Sequence, residues 1–325
     1  MIGARLPLVL DAGFEAAGRV GVFHPPLDAD LRSLDHFEVI SPHAEAPATW
    51  PMAQPKPSGR YDTAIVCLPR AKDAAHALIA QALSVTDGPV LVDGQKLDGI
   101  DSLLRAVRAR VPISGLIAKA HGKAFWFGPT DAFRDWQQKA TRTPDGFWTA
   151  PGLFSADGVD KGSALLAEVL PERLGAHVVD LGAGWGALSA RVLERAAVEI
   201  CHLVEVDHAA LACAKQNVLD LRARFHWADA RSWHPPALVD AVVMNPPFHT
   251  GRAAEPGLGQ AFIAAAARML KPQACLWMVA NRQLPYEETL RTHFAEWREI
   301  GGDTRFKISI AARPIPPKRH YRIKR

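Results

Sequence analysis

Five residues limit what this chain can fold into more than any others: Gly182-Ala183-Gly184-Trp185-Gly186, entered from the apolar run Val178-Val179-Asp180-Leu181 and left through a helix-forming stretch at 187–195. A buried strand that turns through glycines straight into a helix is the opening unit of an open α/β sheet. The residues downstream repeat the alternation. Strands are expected at 200–206, 225–227, 241–244, 274–280 and 306–311, and helices at 209–220, 260–270 and 286–297. The stretches 298–300 and 306–311 flank Gly301-Gly302-Asp303, so an antiparallel hairpin should close an otherwise parallel, doubly wound sheet.

A chain of 325 residues is long enough for a second core. Residues 61–68, 72–83 and 89–93 read as strand, helix and strand. In the helix expected at 100–110, Ile100, Leu103, Leu104 and Val107 share one face, and 113–119 with 123–127 form a hairpin around His121-Gly122. No strand here runs into a glycine turn. The stretch 137–152, with Pro144, Asp145-Gly146 and Pro151, reads as a linker. The expected layout is a smaller α/β domain over residues 1–140, a second domain over 141–313 and a basic tail over 314–325.

At 48% hydrophobic and 22% charged residues, the composition excludes disordered, fibrous and membrane-spanning classes. The first ten residues are too short an apolar stretch for a secretory signal, and the expected location is the cytoplasm. Cys67, Cys201, Cys213 and Cys275 make no C-x-x-C pair, which fits reduced, buried thiols and no metal site. A net charge of +4 does not by itself announce nucleic acid. The end is more pointed: Arg313, Lys318, Arg319, Arg322, Lys324 and Arg325 stand without an acidic residue, as a tail that tracks phosphates or as a solvated end.

The glycine turn also speaks to a ligand. Its G-x-G-x-G spacing departs from the G-x-G-x-x-G of dinucleotide pyrophosphate binders. Asp180, two residues before Gly182, is placed to accept a hydrogen bond from a cationic amine and would repel a pyrophosphate. Both traits suit the amino-acid end of S-adenosylmethionine. Glu205, 19 residues after Gly186 at the end of the next strand, is the candidate for the ribose hydroxyls. Asp229 is the candidate acceptor for the adenine amine, with the backbone N–H of Ala230 beside it. Each of these alone is an ordinary turn former or helix cap; their order along the chain is what points to the cofactor.

Asn245-Pro246-Pro247-Phe248 follows the fourth strand, at the end of the sheet where ligands of open α/β folds collect. An amine conjugated to a planar ring is a weak nucleophile, because its lone pair is spread into the π system. Acceptors at both of its hydrogens raise its reactivity, and the Asn245 side-chain oxygen and the Pro246 carbonyl can provide them. Two prolines stiffen the turn, and Phe248 offers a face for stacking. His249 and Arg252 follow closely enough to touch a substrate, though a surface histidine and arginine are ordinary. By itself the tetrapeptide specifies methylation of a planar nitrogen: a nucleobase amine in RNA, an adenine or cytosine amine in DNA, or a protein glutamine.

With these motifs in place, the chain resembles the bacterial ribosomal RNA guanine-N2 methyltransferases of the RsmC and RlmG type. The resemblance covers most of the chain. It is carried by Pro151-Gly152-Leu153-Phe154-Ser155-Ala156-Asp157-Gly158-Val159-Asp160-Lys161-Gly162-Ser163, the 180–186 turn, Asn245 to His249, Ala280-Asn281 with Leu284-Pro285-Tyr286, and Arg305-Phe306-Lys307. It implies a class I methyltransferase fold using S-adenosylmethionine, with Phe154, Asp160, Gly162 and Ser163 in a segment that closes over the methionine moiety. It also implies an N-terminal domain related to the catalytic one that has lost its cofactor motif and helps to hold RNA. The expected partner is ribosomal RNA or a ribosomal subunit, met by a monomer. The first thirty residues match the family poorly. A non-catalytic RNA-binding assembly factor that keeps the fold is the alternative from another class, and the intact glycine turn and Asn245 speak against it.

Overall fold

The structure is a computed structural model that describes residues 2–247 and 256–316. The chain divides into two compact units, Met1–Thr141 with Ala150–Ala156, and Arg142–Thr149 with Asp157–Arg325.

The first unit contains α1 (Leu6–Asp11), β1 (Val20–Phe23), β2 (Glu38–Ile40), α2 (Ala46–Thr49), β3 (Thr63–Cys67), α3 (Lys72–Ser84), β4 (Val90–Gln95), α4 (Ile100–Arg108), β5 (Gly115–Lys119) and β6 (Gly122–Phe127). Its six-stranded sheet runs β2-β1-β3-β4-β6-β5, parallel through β4 and antiparallel from β6 onward. Apolar clusters cover both faces, which is why β3 and the first half of β4 read as hydrophobic runs. Ile100, Leu103, Leu104 and Val107 are all buried along one stripe of α4, as their spacing predicts. Strands β1 and β2 escape a sequence reading because, at four and three residues, they are too short to show a period.

The stretch expected as a linker is partly ordered. Thr141–Arg142 (β7) and Trp148–Thr149 (β8) form a small two-stranded sheet, in which Thr143 N–H donates to Phe147 O and Gly146 takes φ +85°. Asp-Gly is a turn-forming pair, and here it closes a hairpin of the second unit.

The second unit continues with α5 (Lys161–Val169), β9 (His177–Leu181), α6 (Ala187–Leu193), β10 (Ile200–Glu205), α7 (His208–Asn217), β11 (Ala223–Trp227), β12 (Val239–Met244), α8 (Pro256–Met269), β13 (Leu270–Asn281), α9 (Glu287–His293), β14 (Phe294–Gly302) and β15 (Phe306–Pro314). The sheet order is β11-β10-β9-β12-β13-β15-β14. β15 lies antiparallel between β13 and β14, and the other pairs are parallel. This is the α/β, doubly wound sheet with the closing hairpin that the alternation predicts.

One boundary differs. The helix expected over 286–297 stops at His293, and Phe294 opens β14 opposite Pro314. Phe294 and Leu290 are both buried, so the apolar spacing suits a helix, but the free edge of β15 offers Phe294 onward a ladder of backbone partners. Arg313, counted with the basic end, is in β15 and pairs with Glu296, while the charged residues from Lys318 on lie outside the described residues.

The two sheets share their strand order once β11 is set aside: β2-β1-β3-β4-β6-β5 corresponds to β10-β9-β12-β13-β15-β14. Phe23 of β1 pairs with Ile40 and Val66, as Asp180 of β9 pairs with Leu203 and Val243. In that correspondence β1, β2 and β3 hold the places of β9, β10 and β12. After β1 the chain runs His24-Pro25-Pro26 in place of glycines, and proline has no N–H to offer a ligand.

Candidate active site

The site collects at the carboxyl ends of β9, β10 and β12. Gly182, Gly184 and Gly186 all take positive φ, at +77°, +54° and +88°. Their reasons differ. A Cβ on Gly182 would stand 3.0 Å from the Phe262 ring, and one on Gly186 would stand 3.0 Å from Val218 and 3.3 Å from Ala214, so these two serve helix packing. Among the described residues a Cβ on Gly184 would meet nothing within 4 Å, which makes Gly184 the glycine of the three with open space beside it.

Glu205 ends β10 with 8% exposure. One carboxylate oxygen accepts from Gly184 N–H at 2.7 Å and the other from Asp207 N–H at 2.9 Å. Each oxygen keeps a second acceptor direction, which suits a pair of ribose hydroxyls. Burial pushes this carboxyl above its ordinary range, and the backbone donors hold it back.

Asp180 is 1% exposed, and the Ser189 hydroxyl donates to it at 2.5 Å. Burial, reinforced by the neighbouring Glu205, pushes its carboxyl up to about 7. A buried carboxyl in that state gains from an arriving ammonium group, which favours its charged form. Ser189 has no motif to mark it in the sequence; it is found only because α6 turns its first full turn back over β9.

Asp229 is engaged by its own loop, accepting from Arg231 N–H and from the Arg231 guanidinium at 2.9 Å. Ala230 is buried in the core on the α8 side of the sheet.

Asn245 follows β12, with Pro246 buried and Pro247 exposed. Its side-chain NH2 donates to the Asp160 carboxylate at 2.8 Å and to the Ser163 hydroxyl at 2.9 Å. Asp160 is also the N-cap of α5, accepting from Ser163 N–H at 2.9 Å. Gly162, between them, is pressed so closely on Phe306 that a Cβ would stand 3.0 Å from both that ring and the Asp160 carboxylate. The structure thus brings Asp160, Gly162 and Ser163 together around Asn245. Phe154 lies in the Ala150–Ala156 segment of the first unit and is 58% exposed. Phe248, His249 and Arg252 lie outside the described residues.

Sequence reasoning also passes over Asn217, the last residue of α7. Its amide donates to the Trp148 and Trp185 carbonyls, both at 2.8 Å, and its oxygen accepts from Trp148 N–H at 2.6 Å. One side chain thus ties the β8 hairpin to the glycine turn, where the Phe147 and Trp185 rings meet with centroids 5.2 Å apart. Asn217→Ala is expected to lower stability by about 2 kcal/mol, at roughly 1 kcal/mol for each part-buried hydrogen bond with some recovered by water. A fall in the urea midpoint at unchanged slope checks it.

Among the described residues, no group of three or more His, Cys, Asp or Glu side chains converges as a metal site, and no helix is long and apolar enough to cross a membrane. Cys67, Cys201 and Cys213 are buried free thiols and Cys275 is half-buried.

With this geometry in hand, comparison with known proteins identifies the relatives. The chain is 28% identical over 298 residues to the ribosomal RNA small subunit methyltransferase C of Shewanella sp. (strain MR-4), covering 87% of this chain and 86% of the relative. The protein of the same name from Hahella chejuensis (strain KCTC 2396) is 28% identical over 337 residues, covering 92% and 95%. Among solved structures, the T. thermophilus 16S rRNA N2 G1207 methyltransferase, solved with AdoMet and guanosine, superposes with a TM-score of 0.75 over 96% of this chain and 93% of that one, at 24% identity. That likeness shows a shared fold over nearly the whole chain, with the second unit a class I methyltransferase fold. The family model for the methyltransferase small domain matches residues 145–309, the stretch that holds the glycine turn, Glu205 and Asn245, and the chain belongs to that family.

Proposed function

We propose that this chain transfers a methyl group from S-adenosylmethionine to the exocyclic N2 amine of a guanine in small-subunit (16S) ribosomal RNA. The observation that carries the chemistry is one of register. Val243 of β12 is the strand partner of Asp180, so Asn245 and Gly182, each two residues further on, leave adjacent strands at the same end of the sheet. Methyl acceptor and methyl donor are thereby held side by side, and the rate gain comes from that placement.

When bound, S-adenosylmethionine supplies a methyl group already activated on a positively charged sulfur. The rest falls to the chain. Gly184 leaves room beside the turn, Glu205 accepts from the ribose hydroxyls, and Asp180 sits where its charge favours the ammonium of the methionine moiety. Asp229 and Ala230 border the adenine. The Asn245 oxygen and the Pro246 carbonyl accept the hydrogens of the guanine amine, and their dipoles stabilise the positive charge that grows on its nitrogen. Phe248 is the candidate for stacking on the base, and His249 and Arg252 are candidates for contact with the RNA. No general base is required, because the methylated nitrogen, once cationic, releases its proton to water.

The choice of substrate rests on the relatives, named for ribosomal RNA of the small subunit, and on the fold neighbour, named for a guanine N2 position. In this reading the first unit, which repeats the strand order but follows β1 with His24-Pro25-Pro26 in place of glycines, serves RNA and not cofactor. The tail that includes Lys318, Arg319, Arg322, Lys324 and Arg325 contacts phosphates. The protein acts in the cytoplasm as a monomer.

The test uses 16S RNA and small subunits from cells lacking the protein, with labelled cofactor and mass mapping of the product. Incorporation as N2-methylguanine is expected. Its rate at limiting RNA should fall at least tenfold between about 50 and about 200 mM salt, because several phosphate contacts release counterions. Label in a DNA adenine or a glutamine peptide, and none in RNA, would overturn the assignment.

A further inference from the structure

An asparagine amide has two chemically opposite ends, and a reaction that needs its oxygen fails if the group is turned over. At Asn245 both hydrogens of the NH2 are engaged, one by the Asp160 carboxylate at 2.8 Å and one by the Ser163 hydroxyl at 2.9 Å. Turning the amide over would set its oxygen 2.8 Å from a carboxylate oxygen, two acceptors with no proton between them. Among the described residues nothing donates to the oxygen, which keeps both lone pairs for a ligand.

The partners are themselves fixed. The same Asp160 oxygen that accepts from Asn245 also accepts from Ser163 N–H at 2.9 Å, as the N-cap of α5. Gly162 holds that first turn against Phe306 of β15, with no room for a Cβ. The short sequence Asp160-Lys161-Gly162-Ser163 therefore works as a clamp: a cap, a close-packed glycine and a second acceptor, 82 and 85 residues away in sequence from the amide they hold.

We infer that Asp160 and Ser163 are positioning residues for methyl transfer, which act through Asn245 by fixing its amide with the oxygen toward the amine and by polarising it with the Asp160 charge. This rests on the function proposed above, and it assigns the two residues a role other than contact with the methionine moiety. A carboxylate that accepts from an amide N–H draws the N–H dipole toward itself and leaves the amide oxygen richer in electrons. The acceptor facing the developing ammonium is then stronger than an isolated amide.

Four variants of the full chain test it: Asp160→Ala, Ser163→Ala, Asp160→Asn and Asn245→Ala, with both alanine changes also made in the Asn245→Ala background. Asp160→Ala is expected to lower kcat about 50-fold and Ser163→Ala about fivefold, each less than removal of the acceptor itself. Cofactor affinity by calorimetry and KM for RNA should stay within about twofold. Asp160→Asn keeps a good helix cap and an acceptor but no charge, so it should fold as the parent does and recover part of kcat.

In the Asn245→Ala background neither change should lower kcat further, since residues that act through one side chain are not additive. The Asn245 side-chain 15NH2 resonance, identified by its loss in Asn245→Ala, should move in Asp160→Ala and in Ser163→Ala without substrate present. A cofactor affinity that falls tenfold or more in Asp160→Ala, or kcat losses that add in the double variants, would overturn the inference. Absence of transfer to RNA by the parent chain would instead overturn the proposed function, and the resonance shift would still decide the clamp.

Discussion

Asn245→Ala is expected to lower kcat for methyl transfer by about 10³-fold, near 4 kcal/mol of barrier, with cofactor affinity unchanged within about twofold. The size follows from what is lost. The amine nitrogen of a nucleobase gains a full positive charge as it accepts a methyl cation, and in the proposed reaction the acceptor facing it is the Asn245 oxygen, on an amide held by two hydrogen bonds. An alanine removes the acceptor and leaves the Asp160 carboxylate facing the vacated space. Asn245→Asp should be no better, because it sets a second carboxylate 2.8 Å from that of Asp160, where two negative charges repel. Single-turnover kinetics with saturating RNA separate this loss from any change in binding. A kcat within tenfold of the parent would show that another group polarises the amine.

Gly184→Val and Gly186→Val are expected to fail for opposite reasons. Both positions have positive φ, so any side chain costs about 1–2 kcal/mol in backbone strain. At Gly184 nothing lies within 4 Å of the new Cβ, so that strain is the whole cost to folding, but the isopropyl group fills the space left for the cofactor. Affinity for S-adenosylmethionine should fall at least about 100-fold while the melting temperature drops only a few degrees. At Gly186 the new atoms meet Ala214 of α7 and Val218 just beyond its end, and overpacking of a further ~1–3 kcal/mol should dominate. Calorimetry and thermal melts on the two variants distinguish a ligand glycine from a packing glycine. Equal melting shifts and equal affinities would remove Gly184 from the cofactor site.

Much of this protein is legible in its sequence, because the information lies in periods and in short runs. The stripe of Ile100, Leu103, Leu104 and Val107 has a single helical solution, and the run from Val178 into Gly182 has a single architecture in which it is buried on both sides. Asp180, Glu205 and Asn245 were placed at strand ends by the same logic, since in a parallel sheet every strand points its carboxyl end to one side. What failed was decided by competition between partners. Phe294 to Trp297 carry a spacing that a helix could use, and they are strand because β15 presents an unpaired edge. Asp145-Gly146 reads as a breaker when taken alone and closes a hairpin once Asn217 is there to hold Trp148.

The amino-acid sequence by itself determined the second unit's fold class, the glycine turn after β9 and the place of Asn245 at the end of β12. Local spacing sets each of these. The tertiary structure decided the rest: which of three glycines has open space beside it, that Ser189 donates to Asp180, and that Asp160 and Ser163 accept from the amide of Asn245. The hydrogen bonds on Asn245 join residues more than eighty positions apart in sequence, and their direction depends on which donor and acceptor the packed helices and strands leave facing each other.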